Sequence, residues 1–230
     1  MMQFYRIRHS IDNNIIGPKY PQVEKVLIPS TWNSPDFIES FINKEAPADV
    51  DLPTPILYKN SNLTDLLSAS TVGLSLSLLV SDRFKIIIQE KIKGIQLFPV
   101  KVIHCENEYP YWILHPFSFS FDLLNIQQST MGYYSDFSMK NLDQRFIPKN
   151  WIDLKKEIEL FDKRINDNEY DGKIFGITKI VFEEEKSVDF FSLRCISGGT
   201  GFFVSEKLKD EIESALCTGI VFTEPNEQHP

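Results

Sequence analysis

Four histidines, His9, His104, His115 and His229, are the side chains that could ligate a metal or move a proton near neutral pH. Their spacing contains neither H-E-x-x-H nor H-x-E, so no metal site is expected. His104 precedes Cys105, but neighbouring side chains of a strand point to opposite faces, which argues against a catalytic pair. His115 closes the apolar run Tyr111-Trp112-Ile113-Leu114 and reads as a strand-end residue, with a pocket residue as the alternative. The most ligand-like string is Ser197-Gly198-Gly199-Thr200-Gly201, because backbone N–H groups of a Gly-rich turn can hold an anion. No Lys-Ser/Thr follows it, and its glycines lead into Phe202-Phe203-Val204, so neither the Walker nor the dinucleotide fingerprint is met. A hairpin turn or bulge is the reading, and ligand binding by Ser197, Gly198, Gly199, Thr200 and His115 is the alternative. Glu183-Glu184-Glu185, followed by Lys186 and Asp189, reads as a solvated turn, or else as an acidic tip that meets a basic partner. No catalytic residue and no cofactor is expected.

These residues must be held by elements of mixed type. Phe4 to Arg8 is the first strand candidate. Residues 11–55 carry seven prolines, which forbid long helices and sheet-interior strands. Ser34-Pro35-Asp36 predicts a short capped helix there, burying Phe37 and Phe41, within an arm that packs on the core. Thr64 to Leu67 reads as a turn or short helix. Ser81 opens a helix to about Lys93, and strands over Ile95–Cys105 and Tyr109–Phe117 follow, joined at Glu106-Asn107-Glu108. A charged helix is predicted from Asp153 to Arg164, with Leu154, Ile158, Phe161 and Ile165 on one face. Strands follow over Lys173–Glu183, Phe190–Ile196 and Phe202–Val204, then a helix capped by Ser205 and a last strand at Gly219–Phe222.

Composition narrows the classes. The 230 residues are 42% hydrophobic and 13% aromatic, which excludes a disordered or collagen-like chain. Basic residues number 24 and acidic 32, for a net charge of −8, a poor match for a phosphate backbone, so nucleic-acid binding is not expected. The same charge suits steering towards a basic partner. Three cysteines, Cys105, Cys195 and Cys217, without C-x-x-C spacing argue for free thiols in a reducing, cytoplasmic setting. The N-terminal residues have no apolar h-region, so no secretory signal is expected. The apolar stretch Val72–Val80 is broken by Gly73, Ser75 and Ser77 and is far short of the ~20 residues of a membrane helix.

Two segments read alike. Val80-Ser81-Asp82-Arg83-Phe84-Lys85 and Val204-Ser205-Glu206-Lys207-Leu208-Lys209 stand 124 residues apart, and at that offset Ile88 falls on Ile212 and Ile92 on Leu216. Each helix opens on a Ser cap with an acid at the first position, and each closes near a Gly, Gly94 or Gly219, before a strand. The pattern points to an internal duplication of a strand–helix–strand unit. The expected fold is α+β: a mixed, mostly antiparallel sheet with a few flanking helices. Its parts are a Pro-rich arm (1–55) and two lobes (56–150 and 151–230).

The ending Gly201-Phe202-Phe203-Val204-Ser205-Glu206-Lys207-Leu208-Lys209-Asp210-Glu211-Ile212, then Thr218-Gly219-Ile220-Val221-Phe222, resembles the C-terminus of an immunity-protein family of bacterial polymorphic toxin systems. Those proteins end in a strand, a V-S-E-x-L-K helix and T-G-x-x-F. The similarity covers residues 78–125 and 170–223, while the arm before residue 56 matches no such pattern. The resemblance implies a non-catalytic cytoplasmic protein that binds and neutralises a cognate, basic protein toxin. The acids Glu183, Glu184, Glu185 and Asp189 are the candidate contacts. An adaptor for another partner, or a small-ligand binder using the Ser197–Gly201 turn, are the alternatives.

Overall fold

The computed structural model describes residues 3–27, 34–41, 43–69, 73–135, 142–166, 172–183, 188–196 and 199–227. Alternating apolar residues and Ser-capped amphipathic runs produce two sheets with helices packed against them. In chain order the elements are β1 (Phe4–His9), α1 (Asn13–Ile16), β2 (Val23–Leu27), β3 (Thr54–Leu57), β4 (Leu66–Leu67), β5 (Leu78–Ser81) and α2 (Asp82–Ile88). Next come β6 (Ile95–His104), β7 (Asn107–Pro116), β8 (Thr130–Tyr134), β9 (Leu142–Phe146) and α3 (Trp151–Asn166). The chain continues with β10 (Ile174–Lys179), β11 (Phe190–Ile196), β12 (Gly199–Ser205), α4 (Glu206–Ser214) and β13 (Ile220–Thr223). One sheet has seven strands in the order β13-β1-β12-β11-β10-β8-β9, the other six in the order β2-β3-β6-β7-β5-β4. Only β10–β11 and β3–β6 pair in parallel among the described strands. The fold is α+β and mostly antiparallel, as expected.

The repeated segments are equivalent down to their register. Leu66 pairs with Val80 in β4–β5, and Phe190 with Val204 in β11–β12. The N–H of Ser81 donates to Asp65 O, and that of Ser205 to Asp189 O, both at 2.9 Å. Both serines then cap their helices, accepting from Phe84 N and Leu208 N at 3.2 Å.

The next strand completes the correspondence. In the first unit β7 lies between β5 and β6, with Leu114 paired to Leu78 and Leu97. In the second unit that place is taken by β1, with Ile7 paired to Phe202 and Phe222. The second unit is thus closed by a strand from the other end of the chain. The cation–π contacts repeat as well: Lys85 Nζ lies 4.4 Å from the Trp112 ring, and Lys209 Nζ 5.2 Å from the Tyr5 ring.

The two units share one core. Leu66, Leu78, Val80, Phe84, Ile88 and Leu114 pack with their counterparts Phe190, Phe202, Val204, Leu208, Ile212 and Ile7. Each such side chain, fully buried, contributes ~1.5–3 kcal/mol. A second core joins Phe4, Phe191 and Phe203 to Leu154, Ile158 and Phe161 of α3, and a third lies beneath the six-stranded sheet and holds Phe37 and Ile38 of the arm.

Several local expectations change. The β6–β7 turn is Cys105-Glu106, both left-handed (φ 49° and 67°), closing on the pair His104–Asn107. Cys105 therefore leaves the strand, and its Sγ and His104 Nε2 both approach the carbonyl of Lys59, at 3.6 and 3.2 Å. The opposite-face argument does not hold for this pair. Thr64 to Leu67 is not helical, because Leu66 and Leu67 pair with β5. Ser34 Oγ accepts from Asp36 N, but the helix is a single 3₁₀ turn, Ile38–Ser40, because Phe37 and Asp51 bridge just before it. The expected division at residue 150 does not coincide with a boundary between sheets: β8, β9 and β1 all belong to the seven-stranded sheet.

Candidate functional site

Glu183, the first residue of the acid run, and an exposed aromatic residue meet in one groove. After β7 the chain forms a 3₁₀ turn, Phe121–Leu123, because Phe121, Leu123 and Leu124 are all buried against the sheet. Leu124 bridges Phe182, Asn125 N donates to Val181 O at 2.8 Å, and Glu183 N to Leu123 O at 2.8 Å. These bonds fix Glu183 beside the 121–128 segment. Across from it, Asn150 Oδ1 accepts from Ile152 N and Asp153 N, while Asp153 Oδ2 accepts from Lys149 N. This reciprocal cap starts α3 at Trp151. Leu154, Ile158 and Phe161 take the buried face, which leaves Trp151 44% exposed and Ile152 46%, with Ile147 just before them at 69%. The result is a groove of about 400 Å³ lined by Asp122, Ile126, Gln128, Lys149, Trp151 and Glu183. An aromatic anchor with Asp122 and Glu183 on its rim, beside the single cation Lys149, can seat an apolar group flanked by a positive charge.

The other expected residues lie elsewhere. Asp189 accepts the Ser205 hydroxyl at 2.7 Å and so belongs to the α4 cap. Glu184, Glu185, Ser197 and Gly198 lie outside the described residues. Gly199 and Thr200 are the first residues of β12. His115 is fully buried, with Nδ1 3.0 Å from Ser77 Oγ and Nε2 3.1 Å from Phe41 O.

The hydrogen bonds of His115 lead to a buried carboxyl. Ser77 Oγ is 2.9 Å from Glu39 Oε1, and Glu39 Oε2 accepts from Ser75 N, Ser75 Oγ and Leu76 N. Phe41 O can only accept, so Nε2 of His115 carries a hydrogen. Burial raises the Glu39 carboxyl from its ordinary value against the hydrogen bonds it accepts from Leu76, Ser77 and Ser75, and lowers the His115 imidazole despite its bond to Phe41 O. Both nitrogens of His115 are engaged and Ser77 is flanked on both sides. The chain of groups fastens the arm to the 75–77 segment.

Between the units a cleft of about 150 Å³ is lined by His9, Tyr20, Ser75, Ser77, Thr200 and Phe202. Thr200 Oγ1 makes no hydrogen bond to His115, but Ser77 lines this cleft and bonds His115. Sequence reasoning missed Trp151, Glu39 and Ser77. Only Trp151 had a local signal, Asn150 followed three residues later by Asp153.

Among the described residues no group of three or more His, Cys, Asp or Glu is placed to hold a metal ion. No helix among them is long and apolar enough to cross a membrane. Compared with known proteins, the chain matches no family model and no curated relative.

Proposed function

We propose that this chain is a non-catalytic binding protein that seats a basic protein partner in the Trp151 groove, and that the partner is a cognate bacterial toxin neutralised in the cytoplasm. The observation that carries the binding reading is the meeting of Trp151, half-exposed at the start of α3, with Glu183 in one groove. Interfaces draw most of their affinity from a few central aromatic anchors, while rim charges act on the encounter rate. The net charge of −8 favours a cationic partner. The toxin assignment rests on the resemblance of the Val204–Phe222 ending to immunity proteins.

The test is binding kinetics against the C-terminal domain of a toxin encoded beside this chain. Trp151→Ala should weaken binding about 30-fold or more, mainly through faster dissociation. Glu183→Lys, alone or with Glu184→Lys and Glu185→Lys, should slow association and flatten its salt dependence, with dissociation nearly unchanged. Unaltered kinetics in both variants would place the interface elsewhere, and no binding by the wild type would remove the toxin assignment.

A further inference from the structure

The correspondence of the two units reaches past the ends of their strands. In the first unit the β5–β7 ladder ends at the pair Leu78–Leu114, and in the second the β1–β12 ladder ends at Phe202–Ile7. Just beyond Leu78–Leu114 the chain places a carboxyl group, that of Glu39. It accepts from Ser75 N at 3.0 Å, Leu76 N at 2.9 Å, Ser75 Oγ at 3.1 Å and Ser77 Oγ at 2.9 Å. Ser77 Oγ in turn lies 3.0 Å from Nδ1 of His115, the residue after Leu114.

The second unit repeats this frame with different side chains. At the 124-residue offset Ser75, Leu76 and Ser77 become Gly199, Thr200 and Gly201, and the residue after the last pair on the closing strand changes from His115 to Arg8. Both serines are lost, so no side chain fills their positions. An imidazole, neutral or charged, gives way to a guanidinium that is always charged. Beyond the Phe202–Ile7 pair lies the cleft of about 150 Å³. Its lining includes Arg6, Arg8 and His9 with Tyr20 and Thr200, and among the described residues no carboxylate. Thr200 Oγ1 is buried without a hydrogen-bond partner.

Electrostatics then select the occupant. A cleft walled by cations and hydroxyls, in a chain of net charge −8, favours an anion. Burial and the neighbouring Arg8 both disfavour the charge on Arg6, a cost that an anion offsets. Arg8 donates Nε–H to Thr223 Oγ1 at 3.2 Å and a terminal N–H to Glu227 O at 2.8 Å, which holds its guanidinium in place. Two acids stand near: Glu227, whose charge acts on Arg8, and Glu39, where burial favours the neutral form. Neither lines the cleft. Its volume is about half the ~300 Å³ lower bound of drug-sized sites, so the occupant is small.

We propose that the cleft lined by Arg6, Arg8, His9 and Thr200 binds a small oxyanion, the second unit's counterpart of the Glu39 carboxyl. The site shares no lining residue with the Trp151 groove and does not depend on the toxin reading.

The test follows the Thr200 amide signal by NMR in ¹⁵N-labelled protein titrated at constant ionic strength with acetate, inorganic phosphate or acetamide. A saturable shift with acetate or phosphate, and none with acetamide, is the expected result, and the tighter anion shows whether the site prefers a planar or a tetrahedral group. Thr200→Val and Arg8→Gln should each weaken anion binding about tenfold or more, the loss of one hydrogen bond to a charged group. Arg145→Gln, on the exposed strand β9, removes the same charge elsewhere and should leave the affinity unchanged. The remaining amide spectrum reports whether each variant is folded, and Thr200→Val decides alone if Arg8→Gln is not. The proposal is overturned if neither anion gives a saturable shift, if acetamide acts like acetate, if the folded cleft variants bind as the wild type does, or if Arg145→Gln weakens binding equally.

Discussion

Asp65 and Asp189, 124 residues apart, make the same contact: each carboxylate accepts the hydroxyl of the serine that caps the next helix, Ser81 at 2.6 Å and Ser205 at 2.7 Å. Asp65 does more. It also accepts from Arg83 and from the backbone N–H of Thr218 at 2.7 Å, and so ties the second unit to the first. Asp189→Ala should cost ~1 kcal/mol, the scale of a weakened cap, and Asp65→Ala ~2–3 kcal/mol, since several charge-assisted bonds are lost together. Urea unfolding of the two variants checks the ordering.

The acid side of the stability curve follows from the same residue. Burial opposes ionisation of Asp65, but hydrogen bonds from Arg83, Ser81 and Thr218 outweigh it and hold the carboxyl below its ordinary value. A depressed folded value contributes stability above the unfolded value, near 4, and this is lost as pH falls through the folded one. Glu39 has the opposite sign. Burial raises its carboxyl despite bonds from Leu76, Ser77 and Ser75, so its contribution is lost as pH rises between the unfolded and the folded values. Asp65→Asn should flatten the acid-side loss, and Glu39→Gln should flatten the loss on the rise from pH ~4. Urea midpoints between pH 3 and pH 8 distinguish the two.

Trp151 and Leu154 lie one turn apart on α3 and separate binding from folding. Leu154 is fully buried, and Leu154→Ala should cost ~2–5 kcal/mol. Trp151 is 44% exposed, and Trp151→Ala should cost under ~1 kcal/mol while weakening partner binding. Equal destabilisation by both would mean that Trp151 is a core residue and not an anchor.

The three free thiols should react in a fixed order. Cys105 is exposed in its turn, whereas burial pushes the Cys217 thiol up to about 11 and the Cys195 thiol up to about 12. A colorimetric thiol reagent at pH 8 should modify Cys105 first, Cys217 more slowly, and Cys195 only on unfolding.

What the sequence made legible was local. Ser81 and Ser205 announce their helices because capping needs only the next three residues, and the Ile88/Ile212 stripe follows from helix periodicity. The closing strand was not legible as such. Phe4 to Arg8 reads as a strand, but nothing nearby tells that it pairs with Ser205 and Ile220 instead of a sequence neighbour. The β6–β7 turn was displaced by one residue because Cys105 and Glu106 lack the Asn or Gly that usually marks paired left-handed residues. Of the sites, Glu183 was named from its charge. Trp151 stands before a helix expected to begin at Asp153, and the buried pair Asp162–Arg194 joins side chains of different elements, 32 residues apart.

The exchange of β1 for β7 in the second unit sets an order of assembly during translation. Residues 65–116 hold every strand of the first unit in one stretch, so that unit can close as soon as β7 is made. β1 must wait for β12 and β13. At ~5–20 residues per second, the roughly 200 residues between β1 and β12 take on the order of 10–40 s to emerge. During that interval Phe4, Tyr5 and Ile7 sit on a strand without its neighbours, on the ribosome-bound chain. It is the segment of the nascent polypeptide that a chaperone has most reason to shield.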